Sequence, residues 1–310
     1  MKLIVERNEV LADNVRLIAL RAEDGALLPV FTPGAHLSFA IPGTPLHREY
    51  SLTGSGEASH IYEVAVLARA GGVGSSWMHA LQPGVPVDAE LRNAFALEAA
   101  EGGHLLIAGG IGITPILSMA RRLTRDGLPF ALHYASKDPA NSAFADEVAA
   151  LGPHCTLHGG RPNALRAKLS DVLASPRAGA RLYVCGPLAM INEVVEAARS
   201  AGWPDARVHV ELFEGALAHP NDQPFDVELS LSGMTVHVDA GQTMLDALIA
   251  AGVEPLHDCK RGECGMCVTP VLEGEPDHRD RYLSKSERAA NNAICVCVSR
   301  ARSSVIVLEL

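Results

Sequence analysis

Four cysteines near the C-terminus are spaced for metal chemistry. Cys259, Cys264 and Cys267 follow one another with four and two residues between them, and 29 residues separate Cys267 from Cys297. Thiolates suit ferric iron bridged by sulfide, and four of them complete the two tetrahedral irons of a [2Fe–2S] cluster. Gly262 and Gly265 give the intervening loop backbone freedom and leave its amides open toward sulfur. Zinc is the competing ion, but zinc sites usually pair two short knuckles, and the four-residue step is atypical of them. Cys295 rivals Cys297 as fourth ligand: alternation along a strand would put both on one face. Only Cys155 and Cys185 lie outside this region, and the total of seven is odd, which argues against a disulfide framework.

Two other segments suit phosphate and ring binding. Gly109-Gly110-Ile111-Gly112-Ile113-Thr114-Pro115 lies between an apolar run and a helical pattern. Such a turn brings backbone close to a pyrophosphate at a helix N-terminus. In Arg48-Glu49-Tyr50-Ser51-Leu52, Arg48 can neutralise a phosphate, Tyr50 can stack on a flat ring and Ser51 can hydrogen-bond a ring edge. Gly74, Ser75 and Ser76 open a short helical segment with the composition of an anion-binding N-terminus.

The elements that must carry these residues fall into three stretches. Residues 1–100 hold short alternating runs such as 15–22, 36–43 and 61–68, broken by Gly and Pro, and one helical piece at 75–81. That pattern predicts an antiparallel sheet or a small antiparallel β-barrel. Residues 101–222 alternate buried-type strands at 105–110, 130–136, 181–187 and 207–213 with helices at 114–127, 144–152 and 189–202. That predicts an α/β doubly wound parallel sheet. A polar linker over 214–224 leads into 223–310, where a hairpin at 225–240, a helix at 243–252 and a strand at 304–310 flank the cysteines. This third stretch is expected to be an α+β, β-grasp-like domain.

The chain of 310 residues is 48% hydrophobic and 20% charged, with a formal net charge of -10. The acidic balance excludes nucleic acid as the expected partner. No apolar run is long enough for a membrane span, and the charged N-terminus does not resemble a signal peptide, so the expectation is a cytoplasmic protein.

Over nearly its whole length the sequence resembles the ferredoxin-NADP reductase superfamily joined to a plant-type ferredoxin. The closest resemblance is to the phthalate dioxygenase reductase and vanillate O-demethylase reductase family. The carriers are the Arg48–Ser51 motif, the Gly109–Pro115 loop, Cys185-Gly186-Pro187 at a later strand end, the four cysteines, and Val298-Ser299-Arg300-Ala301 after the last of them. The resemblance selects Cys297 as the fourth ligand. It implies an NADH-dependent oxidoreductase with a flavin barrel, a nicotinamide domain and a ferredoxin domain. Hydride would pass from NADH to FMN, and single electrons would pass through the cluster to a Rieske-type oxygenase. Thr114, Cys185 and Glu211 would border the reacting rings, with Phe213 near the flavin. Ser136, beside Lys137 and with Arg161 in reach, would face the nucleotide ribose, where few cations favour NADH. Gly72 stands where the family's phosphate segment has arginine, with Arg69 a candidate substitute. FMN is preferred to FAD by analogy, and a monomer is expected. Two alternatives belong to other classes: an electron-transfer subunit serving a dehydrogenase or heme protein, and a non-enzymatic redox-sensing or zinc-stabilised protein.

Overall fold

A computed structural model describes residues 1–44, 47–69, 72–159, 164–174, 177–213, 222–257, 260, 262 and 265–310. The expected ligands Cys259 and Cys264, together with Arg161, lie outside these residues, as does most of the 214–224 linker. The chain divides into two compact units, Met1–Glu211 and Leu212–Leu310.

The first unit begins with six antiparallel strands: β1 (Lys2–Ala12), β2 (Val15–Ala22), β3 (His36–Ala40), β4 (His47–Ser51), β5 (Ile61–Leu67) and β6 (Pro86–Arg92). Their order is β4-β3-β6-β1-β2-β5. A bridge between Leu52 and Val64 joins the two edge strands, so the sheet closes on itself as a barrel. The alternation in β2 and β5 places Ile18, Leu20, Tyr62, Val64 and Val66 in a core with Leu37, Phe39 and Met78. The N-terminal segment, whose charges argued against a signal peptide, is the eleven-residue β1, with irregular register at Val5/Arg7 and Val10/Ala12. Helix α1 (Val73–Ala80) follows β5.

The same unit continues with a parallel sheet: β7 (His104–Gly109), β8 (Phe130–Ala135), β9 (Cys155–His158), β10 (Arg181–Cys185) and β11 (Val208–Glu211). Its order is β11-β10-β7-β8-β9. Helices α2 (Ile113–Arg125), α3 (Ala145–Ala150), α4 (Leu169–Leu173) and α5 (Leu188–Ser200) make the crossovers. Strands β7 and β10 are almost wholly buried, as their continuous apolar runs require. The barrel is tied to this sheet through α2. Ser118 Oγ donates to the Gly54 carbonyl at 2.5 Å, and Arg121 Nη1 donates to Thr53 O at 2.8 Å. Arg121 is itself held by a two-pronged pair with Glu147 at 2.6 and 2.7 Å.

The second unit is a mixed sheet ordered β13-β12-β18-β14-β16. It is built from β12 (Phe225–Leu229), β13 (Thr235–Val238), β14 (Val268–Glu273), β16 (Ala293–Cys295) and β18 (Val305–Leu308), while β15 (Pro276–Asp277) pairs with β17 (Arg300–Ala301). Helix α6 (Met244–Ala250) starts at Thr243, whose hydroxyl accepts from Asp246 N, and buries Met244, Leu245 and Leu248. Helix α7 (Lys285–Ala290) opens on a capping box between Ser284 and Glu287. β12 and β18 run parallel, while β13 and β14 run antiparallel to their neighbours, the β-grasp-like arrangement the sequence implies.

Asp222 is anchored into this unit. Its side chain is 5% exposed, and Arg279 Nη1 donates to Oδ2 at 2.9 Å. Arg300, also buried, donates from Nη1 to Gln242 O at 2.5 Å and from Nη2 to Gln223 O at 3.1 Å. Removing the anion leaves two guanidinium groups without their shared carboxylate. Asp222→Ala is therefore expected to lower the stability of the second unit by about 3 kcal/mol in urea unfolding.

Candidate functional site

Three strand ends meet at one edge of the parallel sheet. In register, Cys185 pairs with Ala108 on β7 and with Glu211 on β11. After Gly109 the chain makes a 3-10 turn over Gly110–Gly112 and enters α2, whose N-terminus has no side-chain cap. A methyl group on Gly112 would stand 2.4 Å from the Cys185 carbonyl oxygen, and one on Gly109 would stand 2.6 Å from the Met190 sulfur. Only glycine permits the β7 and β10 turns to approach so closely. Gly110, at φ 52, faces open space instead: nothing lies within 4 Å of where its Cβ would be. A backbone that can lie bare against a ligand is what a pyrophosphate turn needs, so this turn fits the dinucleotide.

The side chains at the edge are enclosed. Thr114, Cys185 and Glu211 are all buried, and the Cys185 thiol points to Glu211 Oε2 at 3.9 Å. Thr114 Oγ1 donates to Ile111 O at 3.1 Å, and Pro115 follows it in the first turn of α2. Gly186 carries the turn out of β10, and Pro187 is the N-cap of α5. Phe213 is half-buried just beyond β11. Met190, one turn into α5, packs over Gly109 and Gly186. Sequence reasoning did not single it out, although a position three residues after Pro187 on a helix must fall over that turn.

Ser136 stands apart from this group, at the end of β8. Its amide donates to His158 O at 2.8 Å, and its hydroxyl bonds Ser142. Lys137 beside it is exposed. Behind it, His133 Nδ1 and His158 Nε2 are 2.9 Å apart. Burial, with His158 and Lys168 adding to it, pushes the His133 imidazole down to about 4.

In the barrel, Arg48 and Tyr50 share one face of β4 and converge on the start of α1. A methyl group on Gly74 would meet Arg48 Cγ at 2.4 Å and the Tyr50 hydroxyl at 3.2 Å. Burial drives the Tyr50 phenol up to about 12, against the pull of Arg48 and Arg69. Arg69 adjoins Gly72, the position where the family's phosphate segment has arginine: a methyl group on Gly72 would lie 3.0 Å from Arg69 Cβ. Ser75 Oγ accepts from Arg69 N at 3.2 Å and donates to Gly72 O at 3.1 Å, whereas Ser76 is exposed. Ser51, on the other face of β4, is buried. Two guanidinium groups, an uncapped helix start and one aromatic ring fit a flavin carrying a single phosphate.

In the second unit, Cys267 and Cys297 are buried with their sulfurs 3.0 Å apart. Hydrogen bonds with Cys295 and Cys297 hold the Cys267 thiol below its ordinary range. The Cys295 thiol is displaced upward by its bond to Cys267 and by burial. Strand alternation does not relate 295 to 297, contrary to the expectation from sequence. β16 ends at Cys295, and the amides of Val298 and Ser299 fold back to its carbonyl at 3.3 and 3.0 Å. Gly262 and Gly265 both take left-handed φ, 72° and 74°. The ring of Tyr282, half exposed, lies against Gly265, where a Cβ would be 2.2 Å from its Cζ. Paired buried thiols beside a glycine loop fit a cluster ligand set.

Comparison with known proteins follows the same division. Residues 91–208 match the family described as dimethylamine monooxygenase subunit DmmA-like, N-terminal domain. Residues 227–302 match the 2Fe-2S iron-sulfur cluster binding domain. The chain is 37% identical to a vanillate O-demethylase oxidoreductase of Pseudomonas sp. (strain HR199 / DSM 7063), over 100% of both. It is similar to the solved structure of a phthalate dioxygenase reductase, at 35% identity and a TM-score of 0.74, covering 100% of this chain and 98% of that one. It is also similar to an intact type IV self-sufficient cytochrome P450 monooxygenase, at 36% identity and a TM-score of 0.71, where the match spans 100% of this chain and 41% of that one.

The close approach at Gly112 is directly testable. Gly112→Ala is expected to destabilise the first unit by about 1–3 kcal/mol, because the Cys185 carbonyl is backbone and has little room to retreat. Urea unfolding followed by tryptophan fluorescence would read the change, and an unchanged midpoint would refute the contact.

Proposed function

The chain belongs to the family of phthalate dioxygenase reductase and vanillate O-demethylase oxidoreductase, and from that premise we propose that it draws reducing equivalents from NADH and delivers them singly to a separate Rieske-type oxygenase. The observation that carries the reading is the presence in one chain of a glycine-lined strand edge for a dinucleotide and a buried pair of thiols for a cluster. When bound, FMN and the [2Fe–2S] centre supply the redox chemistry, converting a two-electron hydride donor into a source of single electrons.

The protein's part is to bind, orient and exclude water. Gly109, Gly110 and Gly112 present bare backbone to the pyrophosphate at the start of α2. Thr114, Cys185 and Glu211 are assigned to the wall against which the nicotinamide lies, with Gly186 and Pro187 shaping the turn and Pro115 fixing the first turn of α2. Their burial keeps water from the hydride path. Ser136 is assigned to the ribose. In sequence a single lysine, Lys137, adjoins it, and this shortage of cations supports NADH over NADPH. Arg48, Arg69, Gly74, Ser75 and Ser76 are assigned to the flavin phosphate, Tyr50 and Ser51 to its ring, and Phe213 to the flavin by family resemblance. Cys259, Cys264, Cys267 and Cys297 are assigned as cluster ligands.

The division into flavin (1–100), nicotinamide (101–222) and ferredoxin (223–310) domains is supported at its first boundary by β6 ending at Arg92, whereas Asp222, bonded to Arg279, sides with the ferredoxin domain, so the second boundary is drawn before it. The loop from Lys260 to Met266, exposed at Met266, is assigned as the docking surface for the oxygenase, with Tyr282 beside Gly265. No described helix is long and apolar enough to cross a membrane, and the reading is completed by a cytoplasmic monomer. A second acceptor class is favoured by one observation: this protein is similar to part, 41%, of a self-sufficient cytochrome P450 monooxygenase chain. Reconstitution with a Rieske oxygenase and, separately, with a bacterial P450 distinguishes the two.

Three outcomes are expected. Cys297→Ser should abolish NADH-driven reduction of cytochrome c while leaving ferricyanide reduction within about twofold, since only the former needs the single-electron centre. Arg48→Ala should release flavin on gel filtration, because one of two phosphate cations is lost. Lys260→Glu should weaken turnover with the oxygenase at low salt and leave cytochrome c reduction intact, and unchanged coupling at low salt would refute the docking assignment.

A further inference from the structure

Asp280 is a carboxylate sealed inside the second unit, with a side chain 0% exposed. An isolated anion is strongly disfavoured there, so its surroundings must supply compensation. They do so mostly with neutral donors. Leu283 N donates to Oδ2 at 2.8 Å, and Ser299 Oγ donates to Oδ1 at 3.3 Å. Among the described residues the cationic groups paired with it stand further off: Arg288 Nη2 is 3.7 Å from Oδ2, and His278 Nδ1 is 3.7 Å from Oδ1. Arg288 Nη2 spends its close hydrogen bond on the Asp280 main-chain carbonyl, at 2.7 Å. The negative charge is therefore held in place yet only loosely opposed.

The same residue is pressed against the loop that carries the expected iron ligands. A methyl group on Gly262 would stand 2.9 Å from Asp280 Cα, 3.1 Å from its Cβ and 2.6 Å from Val298 Cγ2. Arg281 N donates to Gly262 O at 2.8 Å. Gly262 lies between Cys259 and Cys264, and Val298 and Ser299 directly follow Cys297. Both ligand-bearing segments thus close on Asp280.

We propose that Asp280 is a fixed buried anion that lowers the reduction potential of the [2Fe–2S] centre, with Arg288 as its partial counterweight. The inference rests on the cluster reading given above. Reduction adds one electron to the centre, and a fixed negative charge in a poorly screened interior opposes it. Asp280 acts through the field and touches no reacting atom, so it is a positioning residue in the electrostatic sense.

The test is a spectroelectrochemical titration of the full chain and two variants, with iron content and visible absorbance measured on each. Asp280→Asn keeps the side-chain shape and an oxygen acceptor but removes the charge, and its cluster midpoint should rise. Arg288→Gln removes the cation at a partly exposed position, and its midpoint should fall. General loosening of the fold would not produce shifts of opposite sign. Midpoints equal to that of the parent, or moved the same way in both variants, with iron content unchanged, would overturn the proposal. Should Asp280→Asn fail to hold iron, Arg288→Gln decides alone, and the absence of a downward shift overturns it. A parent protein without iron removes the cluster reading and this inference together.

Discussion

The organisation of this chain depends on glycines that let a backbone segment lie directly against its neighbour. At the parallel sheet the turn after β7 lies against the turn after β10, with 2.4 Å between a hypothetical Gly112 methyl and the Cys185 carbonyl. In the barrel the start of α1 lies against Arg48 and Tyr50 across Gly74. In the second unit the cysteine loop lies against Asp280 and Val298 across Gly262. Each approach narrows the site to bare backbone and a few chosen groups, which is the form a phosphate, a ring edge or a sulfide-bridged metal centre requires. A single methyl at any of the three would collide with its neighbour.

Charge is then placed by burial. The guanidinium groups of Arg48 and Arg69 gather at the helix start beside Tyr50. Carboxylates are kept where they oppose or anchor: Glu211 under the Cys185 thiol, Asp222 between Arg279 and Arg300, and Asp280 behind the cysteine loop. The first unit is thereby suited to anionic cofactors, and the second to a centre whose electron affinity is held down. That ordering favours electron flow only if the donor side is the stronger reductant, which is the property a potential-setting anion would adjust.

Much of this was legible in the sequence because each site announces itself locally. The continuous apolar run before Gly109 marks a doubly buried strand, and the alternation in 15–22 and 61–68 marks barrel strands; both periods survive because burial enforces them. β1 was harder, since its polar stretch RNEV gives no clean alternation, and β14 is hidden by a proline at 270. Met190 and Tyr282 were missed because their role comes in part from packing over Gly109 and Gly265, which are distant from them in sequence. Arg69 was legible only as a candidate, as its approach to Tyr50 depends on how the loop before α1 folds. The relation of Cys295 to Cys297 was misread: strand periodicity does not extend past Cys295, where the chain turns back on its own carbonyl.

The central claim is that one polypeptide carries hydride-accepting and single-electron centres in series. The most direct measurement is the visible absorption spectrum of anaerobically purified protein before and after one equivalent of NADH. The account predicts flavin and iron–sulfur bands together in the resting protein, both bleaching within the same mixing experiment. A colourless protein, or a flavin that bleaches with no iron–sulfur band beside it, would contradict it.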